Sequence, residues 1–159
     1  MFEKILVPLD GSALAATILP EVEDLAKSQK SEITLLTVSN VPSPSILAEA
    51  GNAVIDPILR WRKRTAEEYL TETTKTLKAK GLKVSWVYRE GAPATEIIRC
   101  ADEARCDLIA MATHGRGEIA WVLGSVAERV VSHATVPVLL MRVLKGQQLM
   151  KKKDLMSGP

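Results

Sequence analysis

The residues able to do chemistry gather at three places in the chain. Asp10-Gly11-Ser12 follows the apolar run Val7-Pro8-Leu9, Thr113-His114-Gly115-Arg116-Gly117 follows a second run ending in Ala112, and Gly124-Ser125 opens a later pattern. The Asp10 carboxylate can accept hydrogen bonds from a ribose or base hydroxyl or amine. Glycines at 115, 117 and 124 let backbone approach a ligand closely, and amides at a helix start after Gly124 form a seat for an anion, phosphate above all. Thr113, Arg116 and Ser125 add donors for phosphate oxygens. Together these groups suit a nucleotide.

Other chemistry is poorly supplied. His114 and His133 are the only histidines, no Gly-x-Ser-x-Gly elbow precedes a helix, and neither a Walker sequence nor a Gly-x-Gly-x-x-Gly after the first strand is present. Asp10 has no paired carboxylate with which to run acid/base catalysis, and its structural alternative is to cap the first helix with Ser12. His114 is either a donor beside the phosphates or a loop residue that packs, and His133 favours a helix C-terminus. Trp121 lines an adenosine pocket, a dimer seam or the core. Cys100 and Cys106 lack Cys-x-x-Cys spacing and read as buried, reduced thiols. No catalytic residue and no metal ligand is assigned; the sequence does not demand an enzyme, and a weak ATPase is the most it suggests.

The elements that must position these residues alternate along the chain. Apolar, β-branched runs at residues 4–9, 32–38, 84–89, 108–112 and 137–142 predict five strands. Between them lie one-face helical spacings: Leu14, Ile18, Val22 and Leu25; Ala66, Leu70, Thr73 and Leu77; Ala94, Ile97, Ile98 and Ala101; Val126, Val130, Val131 and Ala134. Such alternation means parallel strands joined by crossover helices, hence an α/β, doubly wound, three-layer sandwich, whose ligand crevice lies at the carboxyl ends of the strands. Ser12 is expected as an N-cap, Gly81 as a helix stop and Pro93 in a first turn; Pro20 is expected to kink the first helix without breaking it. Residues 39–57, with Pro42, Pro44, Gly51 and Pro57, predict one long irregular segment, a lid or mobile loop. The domain is expected over residues 1–143, and residues 144–159 as a flexible tail.

The chain's 159 residues, 47% apolar and 25% charged, fit one domain with a substantial core. With 21 Lys and Arg against 19 Asp and Glu, the net charge is only +2, which excludes nucleic acid and an acidic membrane as main partners. Arg60, Arg62, Lys63 and Arg64 around Trp61 form a basic patch, the one place where an RNA or anionic-partner reading could start, and Glu67-Glu68 predicts a solvated face laced with i,i+4 pairs instead. No apolar run approaches the roughly 18 residues of a membrane span, and the N-terminus lacks a signal-peptide pattern, so a cytoplasmic location is expected.

Several segments resemble the universal stress proteins of the adenine-nucleotide α-hydrolase-like superfamily, over residues 2–142. They are Lys4-Ile5-Leu6-Val7-Pro8-Leu9-Asp10-Gly11-Ser12, Gly91-Ala92-Pro93-Ala94-Thr95-Glu96-Ile97-Ile98, His114-Gly115-Arg116, Leu123-Gly124-Ser125-Val126-Ala127-Glu128-Arg129-Val130 and Val136-Pro137-Val138-Leu139-Leu140. The resemblance implies a five-stranded parallel sheet of order 3-2-1-4-5 and a homodimer pairing the fifth strands through Val136, Val138, Leu139, Leu140 and Met141. It implies ATP, with or without Mg2+, held by a pattern Gly-x-x-Gly, nine residues, Gly-Ser/Thr. Asp10 would meet adenosine, Val38 would give backbone contacts to adenine, and Gly115, Gly124, Ser125 and Val126 would cradle ribose and phosphates, within a site that also takes in Pro8, Leu9, Ala112, Thr113, His114 and Arg116. The chain departs from the pattern twice: Ala112 replaces the first glycine, and eight residues separate Gly115 from Gly124.

The reading that follows is a stress-response switch or adaptor: a homodimer that binds an adenine nucleotide and presents a surface to protein partners. Two alternatives stand beside it, a nucleotide-independent dimeric interaction protein and a slow Mg-dependent ATP hydrolase using Asp10 and His114.

Overall fold

A computed structural model describes residues 1–115 and 123–144. Five parallel strands, β1 (Lys4–Pro8), β2 (Glu32–Ser39), β3 (Lys83–Glu90), β4 (Leu108–Gly115) and β5 (Val138–Leu144), form one sheet in the order β3-β2-β1-β4-β5. The doubly wound order implied by the resemblance is therefore the observed one. Six helices among the described residues cover it: α1 (Ala13–Ala16), α2 (Leu19–Gln29), α3 (Pro44–Ala50), α4 (Asn52–Ala79), α5 (Pro93–Glu103) and α6 (Ser125–His133).

Strand alternation divides the core into two layers. Ile5, Val7 and Leu9 face Ile18, Val22, Leu70 and Leu77 under α2 and α4, whereas Leu6, Ile109 and Met111 face Ile97, Cys100, Ala127 and Val130 under α5 and α6. The central strands are buried on both faces, which is why they read as nearly continuous apolar runs. Glu23 closes the rim by pairing with Lys80 at 2.7 Å, tying α2 to the end of α4. Cys100 and Cys106 are free and buried, as expected.

Three expectations need correction. Pro20 does not kink one continuous helix: the pattern splits into α1 and α2 around Thr17 and Ile18, and Pro20 lies in the first turn of α2, where a missing N–H costs nothing. Residues 39–57 are mostly helical, with α3 starting at Pro44 and α4 at Asn52. Pro57 sits inside α4 on an exposed stretch, where water can solvate the carbonyl it leaves unpaired. β4 runs three residues beyond Ala112 because Thr113, His114 and Gly115 remain paired with β5, which itself reaches Leu144. Smaller details hold: Ser12 Oγ accepts from the Ala15 amide at 3.1 Å, and Pro93 opens α5.

Candidate functional site

The site begins where two neighbouring strands part. β1 pairs with β4 only at Ile5 with Leu108 and Leu6 with Ile109, while its pairing with β2 continues to Pro8. Pro8, which has no N–H, stands in a central strand at the level where the ladder to β4 has ended. The parting strands open a cleft of about 370 Å3 at the carboxyl edge of the sheet, the expected switch point of this topology.

The first wall is held rigidly. The Leu9 amide donates to the Leu36 carbonyl at 2.8 Å, and Thr37 Oγ1 donates to the Leu9 carbonyl at 2.8 Å. Gly11 then turns the chain at φ +82, a conformation that favours glycine. Asp10 is exposed at this turn, its Oδ1 accepting from the Ser12 amide at 2.9 Å. The capping alternative for Asp10 is thus realised, and it leaves the second carboxylate oxygen available to a ligand.

The opposite wall is β4 and the start of α6. Thr113 is buried and its hydroxyl oxygen accepts from the Gly124 amide at 3.4 Å, tying the strand end to the helix cap. Gly124 has φ −62, and a Cβ there would meet only Thr113 Oγ1, at 3.6 Å. Among the described residues Thr113 alone bonds the helix start, at the Gly124 amide, and the amides of Ser125 and Val126 take no side-chain bond, so they keep the positive end of the dipole open to an anion. Ala112 is half-buried, and its methyl packs against the α2 and α4 core layer while the residue still lines the cleft. The extra methyl is accommodated by the protein's own packing.

Of the residues expected at the site, Pro8, Leu9, Asp10, Val38, Ala112, Thr113, Gly124, Ser125 and Val126 line this one cleft. His114 and Gly115 continue β4 beside it. Arg116 and Trp121 lie outside the described residues. Sequence reasoning missed the apolar slot made by Leu36, Pro93, Ile97 and Met111, and also Leu14 and Ala15 from α1. Pro93 and Ile97, four apart within the Gly91 to Ile98 segment, carried the signal; their helical spacing looked like ordinary core. The expected adenine nucleotide fits this donor set: apolar side chains, a carboxylate and a helix start whose Ser125 and Val126 amides take no side-chain bond among the described residues line the one cleft.

Also missed was the clamp that sets α5. Glu96, nearly buried, pairs with Arg99 at 2.9 Å and with Arg89 at 3.5 Å, and Arg89 also binds Glu103. Hydrogen bonding to Glu103 raises the Arg89 pKa above its ordinary value, so the guanidinium stays charged. Gly91 has φ +146, and a Cβ there would stand 3.0 Å from Glu96 Cγ, so glycine is required twice over. The clamp fixes the start of α5 and with it Pro93 and Ile97.

A second cavity of about 380 Å3 adjoins the first, sharing Asp10 and Val38. Its other wall is α4, with Trp61, Arg62, Thr65 and Tyr69. Burial pushes the Tyr69 phenol above its usual pKa, and the Asp10 charge adds to the rise. Among the described residues, the expected i,i+4 ion pairs from the basic cluster to Glu67 and Glu68 do not form; Lys63 lies 5.9 Å from the Tyr88 ring centre instead.

Comparison with known proteins places these features in a family. The universal stress protein MJ0531 of Methanocaldococcus jannaschii is 33% identical over 149 residues, covering 92% of this chain and 86% of that protein. The solved structure of MJ0577 from the same organism superposes with a TM-score of 0.70 at 29% identity, covering 90% of this chain and 97% of that one. A universal stress protein from Archaeoglobus fulgidus, solved in complex with dAMP, shares the fold with a TM-score of 0.59 at 18% identity, over 88% of this chain and 97% of that one. The family model described as the universal stress protein family matches residues 1–142, and with the parted β1 and β4 ends and the Gly124-Ser125 helix start already in view, the chain belongs to the universal stress protein family.

Proposed function

We propose that the cleft between β1 and β4 binds ATP, with Mg2+ arriving on its phosphates, and that the chain works in the cytoplasm as a homodimeric stress-response switch. The observation that carries this reading is the lining of the cleft: apolar Leu36, Pro93, Ile97 and Met111, the Asp10 carboxylate and the start of α6 meet in one cavity. Adenine would enter the slot against Val38, ribose would meet Asp10, and the phosphates would lie over the amides of Ser125 and Val126 with Gly115 and Arg116 nearby. The dAMP bound to the Archaeoglobus fulgidus member supports an adenine nucleotide as the ligand class.

Binding is favoured over catalysis by the site's ionisable groups. Among the described residues lining the cleft, Asp10 alone carries an ionisable side chain, and one of its oxygens already holds the Ser12 amide. The methyl of Ala112 packs against the core, which favours the nucleotide-binding reading over a nucleotide-free one. Occupancy would be felt next door, because Asp10 and Val38 also wall the second cavity; a ligand shifts such an equilibrium only through different affinity for two states. The homodimer would pair β5 edges through Val136, Val138, Leu139, Leu140 and Met141, and the domain would close with that strand.

Gly124→Asp tests the phosphate seat. The position has ordinary room for a Cβ, so the variant folds, and its carboxylate repels phosphate. Calorimetric titration is expected to show at least roughly tenfold weaker ATP affinity, equivalent to about 1.4 kcal/mol. Unchanged affinity in a folded protein would place the phosphates elsewhere.

A further inference from the structure

Five of the eight large apolar side chains exposed among the described residues fall between positions 41 and 61: Val41, Ile46, Val54, Ile58 and Trp61. Val54, Ile58 and Trp61 follow i, i+4, i+7 spacing and so share one exposed stripe of α4, and Ile46 is exposed on the neighbouring α3. Trp61, 66% exposed, is the most open of the five. A cluster of this kind is uncommon on a solvated surface and marks a contact site.

Charge and shape select the occupant. Arg62 stands four residues after Ile58 and Arg64 three after Trp61, so the two guanidinium groups flank the stripe, and neither forms an ion pair among the described residues. The stripe ends at the cavity of about 380 Å3 walled by Trp61, Arg62 and Tyr69, which a protruding side chain can enter. A second copy packed face to face would set arginine against arginine. A flat anionic bilayer would match the arginines but leave the cavity unfilled. An acidic amphipathic helix matches both: its apolar face covers the stripe and its carboxylates meet Arg62 and Arg64.

We propose that the α3–α4 face is a docking surface for an acidic amphipathic helix of a partner protein. The surface is defined without reference to nucleotide, so the test uses nucleotide-free full-length protein and is separate from the test of the cleft. The probes are two labelled helical peptides of about 20 residues with leucine at i, i+3, i+4, i+7, one carrying Glu and the other Lys on its flanks, and phosphatidylcholine–phosphatidylglycerol vesicles. By fluorescence anisotropy the Glu peptide is expected to bind at least roughly tenfold more tightly than the Lys peptide. Ile58→Asp or Trp61→Ala should weaken the Glu peptide by roughly tenfold or more with an unchanged melting temperature, since both side chains are exposed. The double variant Arg62→Glu with Arg64→Glu should reverse the preference between peptides. Equal affinity for the two peptides, no binding of either, or indifference to Ile58→Asp would overturn the proposal. Vesicle binding or self-association lost in Ile58→Asp, without Glu-peptide binding, would assign the face to a bilayer or to a second copy and overturn it equally.

Discussion

Asp10 serves two purposes, and a single substitution separates them. Asp10→Asn keeps an oxygen for the Ser12 amide while removing the charge; Asp10→Ala removes both. Asp10→Asn should therefore melt with the wild type and bind ATP more weakly, whereas Asp10→Ala should also lose about 1 kcal/mol of stability in urea titration. The buried cysteine pair gives a different handle. Burial pushes the Cys106 thiol from 9.0 up to about 11, with the neighbouring Cys100 adding to the rise. The native state thus holds this proton longer than the unfolded chain, so the stability it contributes is intact below about pH 9 and is lost as pH climbs toward 11. The unfolding free energy from urea titration should fall over that window by an amount of order 2 kcal/mol, and Cys106→Ser should flatten the fall. At neutral pH, thiol reagents should label Cys106 only on unfolding. At this scale most of the site was legible in the sequence, because Asp10, Thr113, Gly124 and Ser125 are polar or glycine residues at strand ends. Leu36, Ile97 and Met111 were not, since an apolar residue lining a slot has the same signature as one filling a core.

Among the elements, α4 contains the clearest unspent stability. Thr74 is buried in its inner face, and its hydroxyl has no hydrogen-bond partner among the described residues. Thr74→Val replaces that hydroxyl with a methyl of similar shape and should stabilise the fold by about 1 kcal/mol, read as a higher melting temperature. A lower one would mean that the hydroxyl is satisfied in solution. Prolines account for the elements the sequence misplaced. Pro44 and Pro20 were read as loop or kink signals, yet each opens a helix, because the first turn needs neither its N–H groups nor a freely chosen φ. Pro93 was read correctly since a glycine and no other proline precedes it closely. Pro57 shows the limit of the signal: an exposed helix of this length absorbs a proline in its early turns.

For the whole molecule, the β5 edge is the surface of greatest consequence. Its outer side has no neighbour among the described strands, and Leu139 is 39% exposed there. If the β5 edges pair, Leu139→Asp should yield a folded monomer by sedimentation, while a persistent dimer would move the interface elsewhere. Leu139 is the better choice than Val138 or Leu140, both of which pack into the α5 and α6 core layer, where a charge would unfold the subunit. Sheet order and layering follow from alternation of strand and helix, whereas the choice of partner surfaces depends on which residues the fold leaves uncovered. The proposed function rests on nucleotide binding in the cleft between β1 and β4. Its most direct test is calorimetric titration of ATP into nucleotide-stripped protein, with GTP alongside. Micromolar ATP binding with GTP much weaker is the predicted result; no heat from ATP at millimolar concentration would contradict the account.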